Sequence, residues 1–252
     1  MDISKDLSMF IWTVHTEHVY HPDEATVISF FTTSNFYKKE AEYMIESMIR
    51  NRINHRVYAV APIVQYDFET HERDLYVTNC SEENISFSQI PKLKPKICMD
   101  ALNDFDRIMW VDCDSVFAKY PREVAHWKHR ELGVFKKDDG RLAGGVIYFR
   151  KTPAVIRLLS EWDALGRQMW ENTDQCALTR IVESTTIPYF TLPFHFIVKY
   201  DTVPPIYIPS YVTILHFQAE RRMRHLLDGN RTEYHAIEAQ VRRLQSNASS
   251  VL

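Results

Sequence analysis

Along this chain, short apolar runs alternate with stretches in which apolar residues recur every three or four positions. Ala25-Thr26-Val27-Ile28-Ser29-Phe30-Phe31 is short, β-branched and aromatic, the pattern of a buried strand. Residues 37–51 place Tyr37, Ala41, Met44, Ile45, Met48 and Ile49 on one helical face. Val57-Tyr58-Ala59-Val60-Ala61 reads as a second strand, stopped by Pro62. Strand, helix, strand in that order predicts a right-handed βαβ unit and a parallel sheet.

Residues 64–91 are polar and carry no assignable period. Pro95 suits a helix start, with Lys96 to Asn103 continuing it. Arg107-Ile108-Met109-Trp110-Val111 is the next strand, and its apolar run stops abruptly at Asp112-Cys113-Asp114-Ser115. Two further strands, 132–135 and 145–149, flank a turn signal at Asp138-Asp139-Gly140. A helix over 153–170 has Val155, Leu158, Leu159, Trp162 and Leu165 as its core stripe. Another starts near Thr173, a good N-cap, and ends near Glu183. Val212-Thr213-Ile214-Leu215 is a late strand leading into His216, and residues 218–228 and 232–245 read as terminal helices. The expectation is one α/β domain over 1–252: a Rossmann-like, mixed but mainly parallel sheet flanked by helices. Residues 1–24 read as an N-terminal extension and 229–252 as a C-terminal helical segment.

Composition narrows this picture only a little. With 45% hydrophobic and 25% charged residues and a net charge of -3, the chain is an ordinary globular protein, with no general reason to bind nucleic acid or an anionic membrane. No apolar run approaches the roughly 20 residues that span a bilayer. Residues 9–14 are too short, and lack the basic flank, for a signal peptide. Four widely spaced cysteines without a CxxC pair read as reduced thiols, and the expected location is cytoplasmic. Sequons at Asn79, Asn84, Asn230 and Asn247 are then chance matches. Glycine is scarce, 6 residues in all, and two of them are adjacent at Gly144-Gly145. Such a pair marks backbone with a steric requirement.

The candidate chemistry begins at Asp112 and Asp114. In an open α/β sheet, ligands bind beyond the carboxyl ends of strands. Residues two apart on extended backbone point to one side. Two carboxylates so placed favour a shared hard cation, Mn²⁺ or Mg²⁺, able to neutralise a diphosphate leaving group. Two solvated loop aspartates are the plainer alternative, since Asp-x-Asp is common. Lys96 is either a brace for the aspartates or diphosphate, or a solvated lysine.

Residues 94–102 together with Arg107-Ile108-Met109-Trp110-Val111-Asp112-Cys113-Asp114-Ser115 resemble the helix and DXD strand of GT-A glycosyltransferases. Ala143-Gly144-Gly145-Val146-Ile147-Tyr148-Phe149 is similar to the strand that follows in enzymes of the glycosyltransferase family 8 type. Thr173-Asp174-Gln175 resembles their Asp-Gln motif, and Val212-Thr213-Ile214-Leu215-His216-Phe217 their late metal-binding histidine. The resemblance spans about residues 25–225, four motifs in the family's order. It implies a GT-A fold and a metal held by Asp112, Asp114 and His216. It also implies that Asp174 and Gln175 contact the donor sugar near its anomeric carbon and that transfer retains configuration. Gly144 and Gly145 then let the backbone approach the sugar. Arg222 stands where the family has a phosphate-binding Lys, and Ala219 replaces the Gly before it. Thr32, Thr33 and Tyr37 follow the first strand, where these enzymes hold base and ribose. The acidic residue common before this Tyr is missing.

The implied partners are a nucleotide-sugar donor, a UDP-sugar above others, and an acceptor that is a glycan, a protein, a small molecule or a modified DNA base, with no membrane. Plainer roles stand beside each of these residues: strand-end hydrogen bonding for His216, helix-dipole stabilisation for Asp174, a β-bulge for Gly144, core packing for Tyr37 and a solvated helix face for Arg222. Two rival functions also fit. A haloacid-dehalogenase-type phosphatase would use Asp112 as nucleophile and Asp114 as general acid. Its motif normally follows an early strand, and it gives Gly144-Gly145 and Asp174-Gln175 no role. A non-catalytic nucleotide-sugar-binding protein would bind the donor without turnover.

Overall fold

The computed structural model describes residues 9–15, 25–32, 35–62, 75–80, 92–168, 174–199 and 210–216. In chain order its elements begin with β1 (Met9–His15), β2 (Thr26–Thr32), α1 (Asn35–Arg50), β3 (His55–Pro62), β4 (Leu75–Cys80), α2 (Lys94–Asp104), β5 (Arg107–Val111) and β6 (Ser115–Phe117). A 3-10 helix (Arg122–Trp127), β7 (Leu132–Lys136), β8 (Leu142–Arg150), α3 (Pro153–Gln168) and α4 (Asp174–Ser184) follow. The last are β9 (Tyr189–Thr191), a 3-10 turn (Phe194–Phe196), β10 (Val198–Lys199) and β11 (Ile214–His216).

Among the described residues, eight strands form one sheet in the order β4-β1-β3-β2-β5-β8-β7-β9, and β10-β11-β6 form a second. β2 runs parallel to β3 and β5, and β7 parallel to β9. Only β1 and β8 are antiparallel to their neighbours on both sides, so the large sheet is mixed but mainly one-directional, as the β2-α1-β3 pattern predicts.

Alternation along the strands sorts side chains onto two faces. Ile28, Tyr58, Ile108, Trp110, Ile147 and Phe149 pack on one side with α2, α3 and α4 residues such as Ile97, Ala101, Leu158, Trp162 and Leu178. Val27, Val57, Met109, Val111, Val146 and Tyr148 pack on the other with Ala41, Met44 and Met48 of α1 and with Phe117 and Ile214 of the small sheet. Every residue of β5 is buried, because α2, α3 and α4 cover one face of the sheet and α1 with the small sheet covers the other.

Three features differ from the sequence reading. Residues 9–15, placed there in an N-terminal extension, form a strand inside the large sheet, between β3 and β4. The polar stretch 64–91 contains β4. Cys113 and Asp114 lie in a turn rather than on extended backbone, because the chain leaves the large sheet after Val111 and enters the small sheet at Ser115. Strand alternation therefore does not set the relation of Asp112 to Asp114. Among the described residues, no helix is long and apolar enough to cross a membrane.

Two local devices fix the small sheet. Ser47 Oγ of α1 donates to Met44 O at 2.6 Å and accepts from Phe117 N at 3.0 Å. One turn further on, Asn51 Nδ2 donates to Phe117 O at 3.1 Å. The backbone of Phe117 is thus clamped to α1 while β6 pairs antiparallel with β11, with Ser115 opposite His216. This register brings residues 101 positions apart into hydrogen-bonding contact.

Candidate active site

The carboxyl end of β5 is where the motifs meet. Asp112 N donates to Gly145 O at 2.9 Å, continuing the β5–β8 ladder beyond Val111. On the other edge of β8 the pairing with β7 breaks: Val134 faces Ile147, and the next residue, Phe135, faces Ala143. Gly144 and Gly145 sit in this discontinuity, so the bulge is real. It re-aims the backbone, as bulges beside binding sites do. The Gly144 carbonyl, released from the β7 ladder, accepts instead from Lys94 Nζ at 2.8 Å.

Lys94 is the centre of the site, and the sequence reading did not select it. It is the first residue of α2, and its side chain is only 4% exposed. Its ammonium lies 2.7 Å from Asp174 Oδ2 and 3.0 Å from Asp112 Oδ1. The Trp110 ring centroid is 5.1 Å away, and Trp110 Nε1 donates to the same Asp112 Oδ1 at 2.8 Å. Burial alone would push the Lys94 ammonium down. The Asp112 and Asp174 carboxylates outweigh that cost and hold it above the ordinary lysine value. Lys96, the expected brace, is half-buried two residues on, roughly 200° around the helix on the opposite face.

Asp174 opens α4, so α2 and α4 both begin at this point and direct their positive ends toward it. Trp162 Nε1 of α3 donates to Asp174 O at 3.0 Å, which fixes that end of α4. Gln175 turns its amide oxygen toward Lys137 Nζ, 2.6 Å away.

Gly144 and Gly145 earn their place by what surrounds them. A Cβ at Gly144 would lie 3.0 Å from Gln175 Cγ, 3.2 Å from Asp174 Oδ2 and 3.4 Å from Lys94 Nζ. A Cβ at Gly145 would meet Asp112 Oδ2 at 3.4 Å and His216 Cε1 and Nδ1 at 3.5 and 3.6 Å. The two glycines therefore keep open the floor between Asp174-Gln175 on one side and Asp112-His216 on the other.

His216 is buried, and both ring nitrogens are engaged. Nε2 is 3.2 Å from Phe196 O, and a carbonyl only accepts, so Nε2 carries the proton. In the neutral ring Nδ1 then accepts from the Ser115 hydroxyl at 2.7 Å. Among the described residues, no three His, Cys, Asp or Glu side chains are gathered closely enough to hold a metal ion. Asp112 Oδ2 and the Nδ1–Cε1 edge of His216 nevertheless face the same space over Gly145, and carboxylate oxygen with imidazole nitrogen suits Mn²⁺. Asp114 is half-buried in the turn beside them.

Of the other sequence-selected residues, Thr32 ends β2 and Tyr37 lies in the first turn of α1. Thr33, Arg222 and Ala219 lie outside the described residues, as do Thr173 and the expected helices at 218–228 and 232–245.

The fold has clear relatives. A glycosyltransferase involved in the glycosylation of the major capsid of PBCV-1 superposes with a TM-score of 0.52 at 11% identity, over 84% of this chain and 98% of that one. The glycosyltransferase GlyE of Streptococcus pneumoniae TIGR4 gives 0.57 at 10% identity, over 90% and 63%. The bifunctional WbbM gives 0.52 at 13%, over 82% and 47%. This chain has the GT-A-like fold of glycosyltransferases. At these identities the likeness is one of fold alone. It spans less than two thirds of GlyE and about half of WbbM. Neither a protein-family model nor a curated protein sequence matches the chain.

Proposed function

We propose that this chain is a glycosyltransferase that moves a sugar from a nucleotide-sugar donor, a UDP-sugar above others, to an acceptor hydroxyl. The reading rests on one observation above all. Lys94 of α2, Asp112 just past β5, Gly144-Gly145 of β8, Asp174-Gln175 of α4 and His216 of β11 converge at the carboxyl end of β5, in a fold shared with glycosyltransferases. A phosphatase using Asp112 would give the glycine pair and Asp174-Gln175 nothing to do.

In this reading Asp112 and His216 would hold Mn²⁺ or Mg²⁺ once Ser115 gave up its hydrogen bond to Nδ1, and Asp114 would have to turn in from the loop to complete the set. The ion, when bound, supplies positive charge against the diphosphate leaving group. The protein's own part is electrostatic and positional. Lys94 fixes Asp112 and Asp174 relative to each other. Asp174 accepts from hydroxyls of the donor sugar, and the Gln175 amide oxygen faces the charge that develops at the anomeric carbon. The bare backbone of Gly144 and Gly145 lets the sugar ring lie against the sheet. Arg222 and the pair Thr32-Thr33 serve the diphosphate and the nucleoside, with Tyr37 against the base. The bond from the anomeric carbon to the diphosphate breaks, the acceptor oxygen bonds to that carbon, and the acceptor proton leaves with the diphosphate. Retention of configuration is the outcome we assign, because Asp174 Oδ2 is already engaged by Lys94 instead of standing free as a base. Cytoplasmic location fits Cys98, Cys113 and Cys176, which are thiols outside any disulfide.

Thermal shift with a panel of nucleotide-sugars and Mn²⁺ identifies the donor, since a selective ligand raises the melting temperature. NMR of the product anomer then reads retention directly. A product of the opposite anomeric configuration to the donor overturns the retaining assignment.

A further inference from the structure

The backbone around Gln175 is held from both sides. Thr179 Oγ1 donates to Gln175 O at 2.8 Å and accepts from Leu142 N at 3.0 Å, which ties the first turn of α4 to the start of β8. Trp162 Nε1 anchors the preceding residue at Asp174 O. The stem of Gln175 lies over Gly144, where an added Cβ would come within 3.0 Å of its Cγ. These contacts fix where the side chain starts and leave the rotation of its terminal amide open.

That rotation sets the chemistry. The amide oxygen accepts hydrogen bonds and the nitrogen donates them, yet the two ends have nearly the same shape. With its oxygen toward the sugar, the amide stabilises positive charge at the anomeric carbon. Turned by half a rotation, it presents N–H groups there and opposes the same charge. Packing does not distinguish two ends of equal shape, whereas a hydrogen-bond donor does.

Lys137 is such a donor. Its Nζ lies 2.6 Å from Gln175 Oε1, and an ammonium has no lone pair with which to accept from an amide N–H. The oxygen keeps a second lone pair for a substrate. The lysine itself is half-buried and presented by a closed turn between β7 and β8. Lys137 N donates to Arg141 O and Gly140 N to Lys137 O, each at 2.9 Å, and Gly140 takes a φ of +84°, which favours glycine. The hairpin thus reaches α4 twice, through Leu142 to the backbone and through Lys137 to the Gln175 side chain.

We propose that Lys137 is the positioning residue for Gln175 in sugar transfer, holding its amide in the orientation that offers the free lone pair of the oxygen to the anomeric carbon. The proposal rests on the glycosyltransferase reading for one point, that Gln175 faces the donor sugar. Lys137 is itself positive, so its part is to orient the amide and not to stabilise the charge.

The test uses the full chain in two measurements. In protein carrying carbon-13 at the glutamine carboxamides, the Gln175 signal is the one missing from Gln175→Leu. It should move in Lys137→Met and stay near its wild-type position in Lys137→Arg, because a guanidinium also only donates. The second measurement is release of UDP from UDP-glucose, UDP-galactose, UDP-N-acetylglucosamine and UDP-xylose with Mn²⁺. Lys137→Met should lower kcat by about tenfold or more and leave KM for the donor within about twofold, with Lys137→Arg restoring most of the loss. Added to Gln175→Leu, Lys137→Met should cost less than about twofold more, since the lysine acts through the amide. A Gln175 signal unmoved by Lys137→Met, a kcat unchanged by it, or a loss that adds in full to that of Gln175→Leu overturns the proposal and leaves the transferase reading standing. A wild-type protein that turns over no donor overturns both, and the two failures are told apart because only then is the wild type itself inactive.

Discussion

Replacing Lys94 with Met keeps the length and apolar stem of the side chain and removes its charge, a clean perturbation of the site's centre. Lys94 and Asp174 are 4% and 11% exposed at the side chain, so the carboxylate left behind cannot rehydrate freely. Removing one partner from a buried pair costs about 3–5 kcal/mol. Asp112, at 36% exposure, recovers water and adds little, which places the estimate near the lower figure. At about 2–4 °C per kcal/mol for a chain of this size, about 3 kcal/mol lowers the melting temperature by roughly 6–12 °C. The cost comes from the stranded charge, so Lys94→Met combined with Asp174→Asn should recover about 2 kcal/mol of it. Thermal and urea unfolding followed by circular dichroism measure all three proteins. The sign of the pH dependence follows from the raised pKa of Lys94. Its contribution is complete below the unfolded lysine value of about 10.4 and is lost only as pH rises through the higher folded value. The difference between wild type and Lys94→Met should therefore be flat from about pH 6 to about pH 9. A Lys94→Met protein within about 1 kcal/mol of wild type, or a double variant no more stable than the single, refutes the buried-pair reasoning.

Three further substitutions separate fold from site. Ser47→Ala strands the buried Phe117 N–H and should cost about 1–3 kcal/mol in urea unfolding, loosening β6 and with it the Ser115–His216 contact. Gly144→Ala drives a methyl against Gln175, Asp174 and Lys94, so donor turnover should fall by about tenfold or more while stability drops by about 1–3 kcal/mol. Gly145→Ala meets only ordinary contact distances, so melting should stay within about 2 °C of wild type. The same methyl intrudes between Asp112 and His216, and Mn²⁺ binding, read by the paramagnetic signal of the free ion, should weaken by about tenfold.

The large elements were legible because their periods are strong. The bounds of β5 match the apolar run 107–111, and the stripe Val155, Leu158, Leu159 and Trp162 of α3 is buried as its spacing requires. β1 and β4 were not, because what defines them is antiparallel pairing between segments far apart in sequence, and no local period encodes that. β6, β9 and β10 have only two or three residues each, too few to show alternation, whereas β11 falls on the expected late strand, shifted toward His216.

The convergence of Asp112, Gly144-Gly145, Asp174-Gln175 and His216 was foreseen from motif order. The lysine was mislaid by two positions. Starting the helix at Pro95 left Lys94 outside it, whereas α2 begins at Lys94 itself. One signal could have settled the choice. Positions 94, 97, 98 and 101 form the buried face of α2, and Lys94 falls on that stripe with Ile97, Cys98 and Ala101, while Lys96 does not.

The central claim is that the carboxyl end of β5 handles a nucleotide-sugar. Release of nucleoside diphosphate from a UDP-sugar panel, measured for wild type and Asp112→Asn with Mn²⁺ and with EDTA, tests it most directly. At least one donor should be turned over by wild type with Mn²⁺, with loss of about a hundredfold or more in EDTA and in the variant. A folded wild-type protein that turns over no donor, or an Asp112→Asn protein as active as wild type, contradicts it.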